Sequence, residues 1–213
     1  MVSLTDSAGV PLIVDNAYGL PFPGIIFNNA RPVFAEHVIN CMSLSKLGLP
    51  GLRTGIVIAN AEIIEAIRSM NAILSLATGS LGALLCAPML SSGKILDYSR
   101  EHIRPFYAER SATATDWCRK HFDGLNFRVH KPEGAIFLWL WFPGLPITAA
   151  QLYQRLKARR VLVIPGHDFF PGLNEDWRHK HECIRISYAQ SPQEVEAGIR
   201  AIGEEVRRAF ETA

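Results

Sequence analysis

The sequence predicts an α/β protein: a mostly parallel sheet retaining three strands, followed by a smaller α+β domain. Three observations carry this expectation. Short, nearly continuous apolar runs at residues 11–14, 38–42 and 55–59 have the character of buried strands. Residues 94–121 then contain no glycine and a single proline, Pro105, so they read as one long helix or two abutting ones. Beyond that stretch, short strands alternate with helices whose first residues are strong capping signals. The change of rhythm sets a domain division, with residues 1–105 on one side and 106–213 on the other.

Taken in order, residues 2–8 form a short helical segment, and the three apolar runs each end in polar residues. Open α/β sheets place ligands just beyond the carboxyl ends of their strands, so Asp15 and the segment Ser43-Leu44-Ser45-Lys46 stand where a site is expected. After the third run, Asn60 is a good N-cap. Ile63, Ile64, Ile67 and Met70 recur at helical spacing behind it, which predicts an amphipathic helix packed on the sheet. In the second part, strands at 126–130 and 135–142 flank the turn Lys131-Pro132-Glu133-Gly134 as a hairpin. Thr148 with Gln151 is a capping box, and Ile147 with Leu152 has the spacing of a hydrophobic staple. Strands at 161–164 and 184–188 follow. Ser191-Pro192-Gln193-Glu194 then opens a final helix whose apolar face is Val195, Ile199, Ile202, Val206 and Phe210.

Composition removes several function classes. The 213 residues are 48% apolar and 20% charged, ordinary for a globular protein. The formal charge of +2 comes without any basic run, which argues against nucleic acid as a partner. Four scattered cysteines with no CxxC pair fit a reducing, cytoplasmic setting. The N-terminus lacks a charged segment followed by an apolar core, and the run 136–142 is too short to span a bilayer. His179, His181 and Cys183 alternate and would share one face of a strand, but no fourth ligand accompanies them, so no metal is expected.

The residues that carry chemistry form an ordered set. Asp15-Asn16-Ala17-Tyr18 comes first, then Ser43-Leu44-Ser45-Lys46, then Gly51-Leu52-Arg53. Singly, each has a bland explanation as a turn, a solvated lysine or a helix-end charge. Together and in order, they resemble the signature of the class I/II (fold type I) pyridoxal-phosphate-dependent aminotransferases. Arg53 follows Lys46 by seven residues, one fewer than in many relatives. Longer stretches, among them DNAYGLPFPGIIF, CMSLSKLGLPGLRTG and HKPEGAIFLWLWF, extend the resemblance over the whole chain.

The resemblance implies that the chain is a C-terminal half, with part of the cofactor-binding large domain followed by the small domain. It implies pyridoxal 5'-phosphate as cofactor and Lys46 as the lysine joined to its aldehyde and the catalytic base. Asp15 would pair with the pyridine nitrogen and Tyr18 with the phenolic oxygen, while Ser43, Ser45 and Arg53 would hold the phosphate. Arg185, in the segment Cys183-Ile184-Arg185-Ile186-Ser187-Tyr188, would grip the substrate carboxylate. An arginine between isoleucines on a strand is otherwise unusual, because an unpaired buried guanidinium is costly. The implied activity is amino-group transfer between an L-amino acid and a 2-oxo acid, with valine and pyruvate as the implied pair. The implied assembly is a homodimer of the full-length protein, and the chain alone is expected to be incompetent. The competing expectations are a pyridoxal-phosphate lyase and a non-catalytic or regulatory aminotransferase-like module. Phe22 and Phe170 are candidates to line the substrate pocket.

Overall fold

The computed structural model describes residues 1–77 and 79–212. The chain divides into two compact units, Met1–Phe106 and Tyr107–Ala213.

In the first unit, α1 (Val2–Ser7) leads into β1 (Leu12–Asp15), and β2 (Val38–Ser43) and β3 (Gly55–Ile58) complete a sheet of order β1-β2-β3. β1 and β2 run parallel, with Asp15 beside Cys41. β2 and β3 run antiparallel, with Ser43 beside Gly55. This corrects the expectation of a mostly parallel sheet: the return through residues 44–54 is too short for a crossover helix, so the chain must double back. Burial differs from expectation as well. β2 alternates buried and half-buried residues, whereas Ile13, Val57 and Ile58 on the flanking strands are exposed.

The helix α2 (Ala61–Ser75) starts as its sequence requires, the Asn60 side chain accepting from the Ile63 backbone N–H at 2.9 Å. None of its residues is fully buried: Ile63, Ile64 and Ile67 of the expected apolar stripe are half-buried, and Met70 is exposed. The helix α3 (Leu81–Ser91) was not legible in the sequence; it is apolar on nearly every side and so has no periodic stripe. Gly82 lets it approach the sheet's loop, since a Cβ there would collide with the Thr54 side chain. The stretch from 94 onward is helical throughout: α4 (Lys94–Tyr98), a π-helical segment (Ser99–Ile103) and α5 (Arg104–His121). Ser99 Oγ donates to the Pro23 carbonyl at 2.6 Å, anchoring the loop after β1.

The second unit is an antiparallel sheet of order β4-β5-β7-β6, formed by β4 (Arg128–Val129), β5 (Phe137–Trp141), β6 (Ile164–Pro165) and β7 (Cys183–Ser187). The helices α6 (Ala149–Ala158) and α8 (Pro192–Glu211) both open with complete capping boxes, at Thr148/Gln151 and Ser191/Glu194. One face of the sheet carries Leu138, Leu140, Ile184 and Ile186 into a core with Leu152, Leu156, Ile199, Ile202 and Val206. Each such side chain contributes about 1.5–3 kcal/mol by leaving water. β6 is shorter than the strand expected at 161–164, because α6 closes through Arg160 at φ 62° and the Val161 N–H bonds back to the Leu156 carbonyl.

A short helix, α7 (Arg178–Glu182), carries His179 and His181. The two histidines therefore do not alternate with Cys183 across a strand. His179 instead lies 3.5 Å from the Cys183 sulfur and stacks on Trp177 with centroids 4.7 Å apart. Glu182, 6% exposed, accepts hydrogen bonds from Trp141 Nε1, the Gly144 N–H and Arg178 Nε, which satisfies its buried carboxylate.

Candidate active site

β1 and β2 are parallel neighbours, so their carboxyl ends lie at one edge of the sheet and deliver Asp15 and Ser43 there. The Asp15 carboxylate is exposed and accepts from the Ala17 N–H at 3.2 Å, which turns the chain back after the strand. The turn continues with the Gly19 N–H bonded to the Asn16 carbonyl at 3.2 Å, and a Cβ on Gly19 would collide with the Asn16 side chain. Tyr18 is thereby set at the same end as Lys46, whose Nζ lies 5.5 Å from the Tyr18 ring centroid.

Lys46 belongs to a 3-10 turn, Ser45–Leu47, that directly follows β2. Ser43 Oγ accepts from the Ser45 N–H at 3.2 Å. A second 3-10 turn, Pro50–Leu52, hands the chain to Arg53, a non-glycine residue at φ 47°. Antiparallel pairing then brings Arg53 back over the start of its own loop, where its Nη1 donates to Ser45 Oγ at 3.4 Å. A residue held in the left-handed region costs roughly 1–2 kcal/mol, so the surrounding hydrogen bonds hold Arg53 against its local preference. An acid, a phenol, two hydroxyls, an amine and a guanidinium thus cluster at one sheet end. This donor set suits a phosphorylated aldehyde with a basic ring nitrogen: cations and hydroxyls for phosphate, an amine for the aldehyde, a carboxylate for the ring.

Arg185 is in the second unit, on β7, with Trp139 and Ile164 as its strand neighbours. It is half-buried, and its Nε has no hydrogen-bond partner among the described residues. Its guanidinium carbon lies 4.1 Å from the Phe137 centroid and 4.5 Å from that of Phe169. A cleft of about 200 Å³ is lined by Arg185, Phe137, Trp139, His130, Lys131 and Glu133, among others.

The family model for aminotransferase class I and II matches residues 1–202. The chain belongs to the class I and II aminotransferases. Enzymes of this family use pyridoxal phosphate. The chain is 51% identical to the valine–pyruvate aminotransferase of Escherichia coli K12, over 98% of this chain and 50% of that protein. The crystal structure of the Salmonella typhimurium valine–pyruvate aminotransferase superposes with a TM-score of 0.93 at 50% identity, over all of this chain and 55% of that one. An α-aminoadipate aminotransferase from Thermus thermophilus, complexed with N-(5'-phosphopyridoxyl)-L-leucine, shares the fold at a TM-score of 0.82 and 23% identity. It is covered over 54% of its length and this chain over 100%. The chain therefore spans about half the length of the curated relatives it matches.

Within this aminotransferase half, sequence reasoning overlooked Phe137 and Phe169 as neighbours of Arg185. Period-two alternation along β5 already sets Phe137, Trp139 and Trp141 on one face, opposite the buried leucines, so half of that signal was legible. The other half required the register with β7 and the turn carrying Phe169. Phe22, a candidate pocket residue, is 3% exposed and buried in the first unit. Phe170, the other candidate, packs with Trp139 and Trp177.

Proposed function

We propose that this chain is part of a pyridoxal-phosphate aminotransferase that exchanges an amino group between an L-amino acid and a 2-oxo acid, with valine and pyruvate as the favoured pair. Residues 1–105 form the retained part of the cofactor-binding domain and 106–213 the small domain. The reading rests above all on the convergence of Lys46, Tyr18, Ser45 and Arg53 where β1 and β2 end. Identity of 51% to a valine–pyruvate aminotransferase supports the choice of substrates.

When bound, pyridoxal phosphate supplies an electron-withdrawing ring that stabilises charge developing at the substrate α-carbon. Lys46 Nζ would hold the cofactor through its aldehyde and, when free, would take the substrate α-proton as general base. The Asp15 carboxylate would pair with the ring nitrogen. The Tyr18 hydroxyl would donate to the phenolic oxygen, and Ser43, Ser45 and Arg53 would bind the phosphate. Arg185 would take the carboxylate of either substrate.

The isolated 213-residue chain is not competent in this reading. Ile73 and Leu74 of α2 are 85% and 75% exposed, and Leu84 of α3 is 68% exposed, surfaces that a folded enzyme covers. In the assembled enzyme the chain works as one half of a homodimer's subunit. The test compares the intact protein with the isolated chain in a valine-plus-pyruvate assay for alanine. Alanine from the intact protein alone is the expected result; alanine from the 213-residue chain, or from neither, contradicts the reading.

A further inference from the structure

Strand alternation places Phe137, Trp139 and Arg185 on the face of the second unit's sheet opposite its core. Arg185 there has no counter-ion among the described residues, and its Nε is buried without an acceptor. What contacts its guanidinium is aromatic: Phe137 at 4.1 Å and Phe169 at 4.5 Å from the ring centroids.

Phe169 reaches that position through local geometry that tolerates little change. It ends the 3-10 turn Gly166–Phe169. A Cβ on Gly166 would come within 2.7 Å of Cys183 Cβ, the Cys183 carbonyl and the Lys180 carbonyl, so glycine alone lets this turn lie against the start of β7. Trp139 braces Phe169 edge-on, with centroids 5.2 Å apart and planes at 89°. Phe137 is fixed independently by its place in β5, opposite Ser187.

We propose that Phe137 and Phe169 are positioning residues: a two-ring clasp that orients the Arg185 guanidinium and shields it from water, leaving its Nη edge for a substrate carboxylate. The inference rests on the carboxylate role given to Arg185 above. The rings attract the cation by their quadrupoles and exclude the solvent that would compete with the ligand. A planar guanidinium can lie over a ring face and still donate two parallel hydrogen bonds, which a lysine ammonium cannot. The clasp therefore makes arginine obligatory at position 185 for reasons beyond charge.

The test uses the intact cofactor-loaded protein, with 3-methylbutanoate, an unreactive carboxylate of valine-like shape, as the calorimetric probe. Phe137→Leu and Phe169→Leu are each expected to raise its dissociation constant about three- to tenfold. Phe169→Tyr, which keeps a ring face, should restore wild-type affinity. In steady-state kinetics the loss should fall on KM, with the cofactor's absorbance unchanged. Should Phe137→Leu fail to fold, Phe169→Leu, outside the strand, reads the same quantity. Unchanged probe affinity in the leucine variants, with binding lost in Arg185→Met, overturns the clasp and leaves the carboxylate role standing. Undiminished binding in Arg185→Met overturns both.

Discussion

Lys46 Nζ stands 5.5 Å from the centroid of the Tyr18 ring, although the two residues follow different strands. The contact exists because β1 and β2 are parallel neighbours whose following turns leave the sheet at one end. The amine proposed to hold the cofactor aldehyde and the phenol proposed for its ring oxygen are thereby set side by side before any ligand arrives, which would limit the ordering that cofactor binding must supply.

Arg53 combines strain with a proposed phosphate contact, which separates two effects of a single change. Arg53→Gly removes a charge-assisted hydrogen bond of about 1.5–3 kcal/mol, so affinity for pyridoxal phosphate should fall roughly 10- to 100-fold. Glycine also adopts the observed φ of 47° without the Cβ penalty, so thermal stability should hold or rise. Equilibrium titration of the cofactor alongside thermal melting reads both quantities. Unchanged affinity removes Arg53 from the phosphate site.

The capping boxes make a prediction about stability alone. Thr148→Ala and Ser191→Ala each leave a first-turn N–H of α6 or α8 without its side-chain acceptor, since those hydroxyls accept from Gln151 and Glu194 at 3.2 and 3.3 Å. Each change should lower the unfolding free energy by about 0.5–2 kcal/mol. Urea denaturation monitored by circular dichroism measures it, and an unmoved midpoint for both variants contradicts the assignment.

These caps were legible in the sequence because a cap is a relation between residues three apart. The same holds for Asn60 at the start of α2 and for the turn after Asp15. Strand direction was not legible: the run ending at Ile58 is equally apolar whichever way it pairs, and only the short return from Ser43 to Gly55 decides. Proximity of Arg53 to Ser45 depends on that register, so spacing from Lys46 alone could not give it. The helix α3 escaped for a different reason, since Leu81, Leu84, Leu85 and Leu90 are all exposed and mark no buried face. For Arg185, the sequence supplied the residue and its strand, while the two rings beside it came from tertiary register.

Thiol reactivity tests the packing of the second unit. Burial pushes the Cys118 and Cys183 thiols up to about 12, so at pH 8 almost none of either is thiolate, and both are fully shielded from solvent. Cys41, beside Asp15 on β2, is half-exposed. Iodoacetamide followed by peptide mapping should modify Cys41 first and leave Cys118 and Cys183 intact until denaturant is added. Equal labelling of Cys118 and Cys41 in the native protein contradicts the packing of α5.

The most direct test of the central claim is to find where the cofactor is attached. The intact protein is loaded with pyridoxal phosphate, reduced with borohydride, digested and mapped by mass spectrometry. The account predicts a phosphopyridoxyl group on Lys46, with Lys46→Ala carrying no label and no transaminase activity. A label on any other lysine, or undiminished turnover in Lys46→Ala, contradicts it.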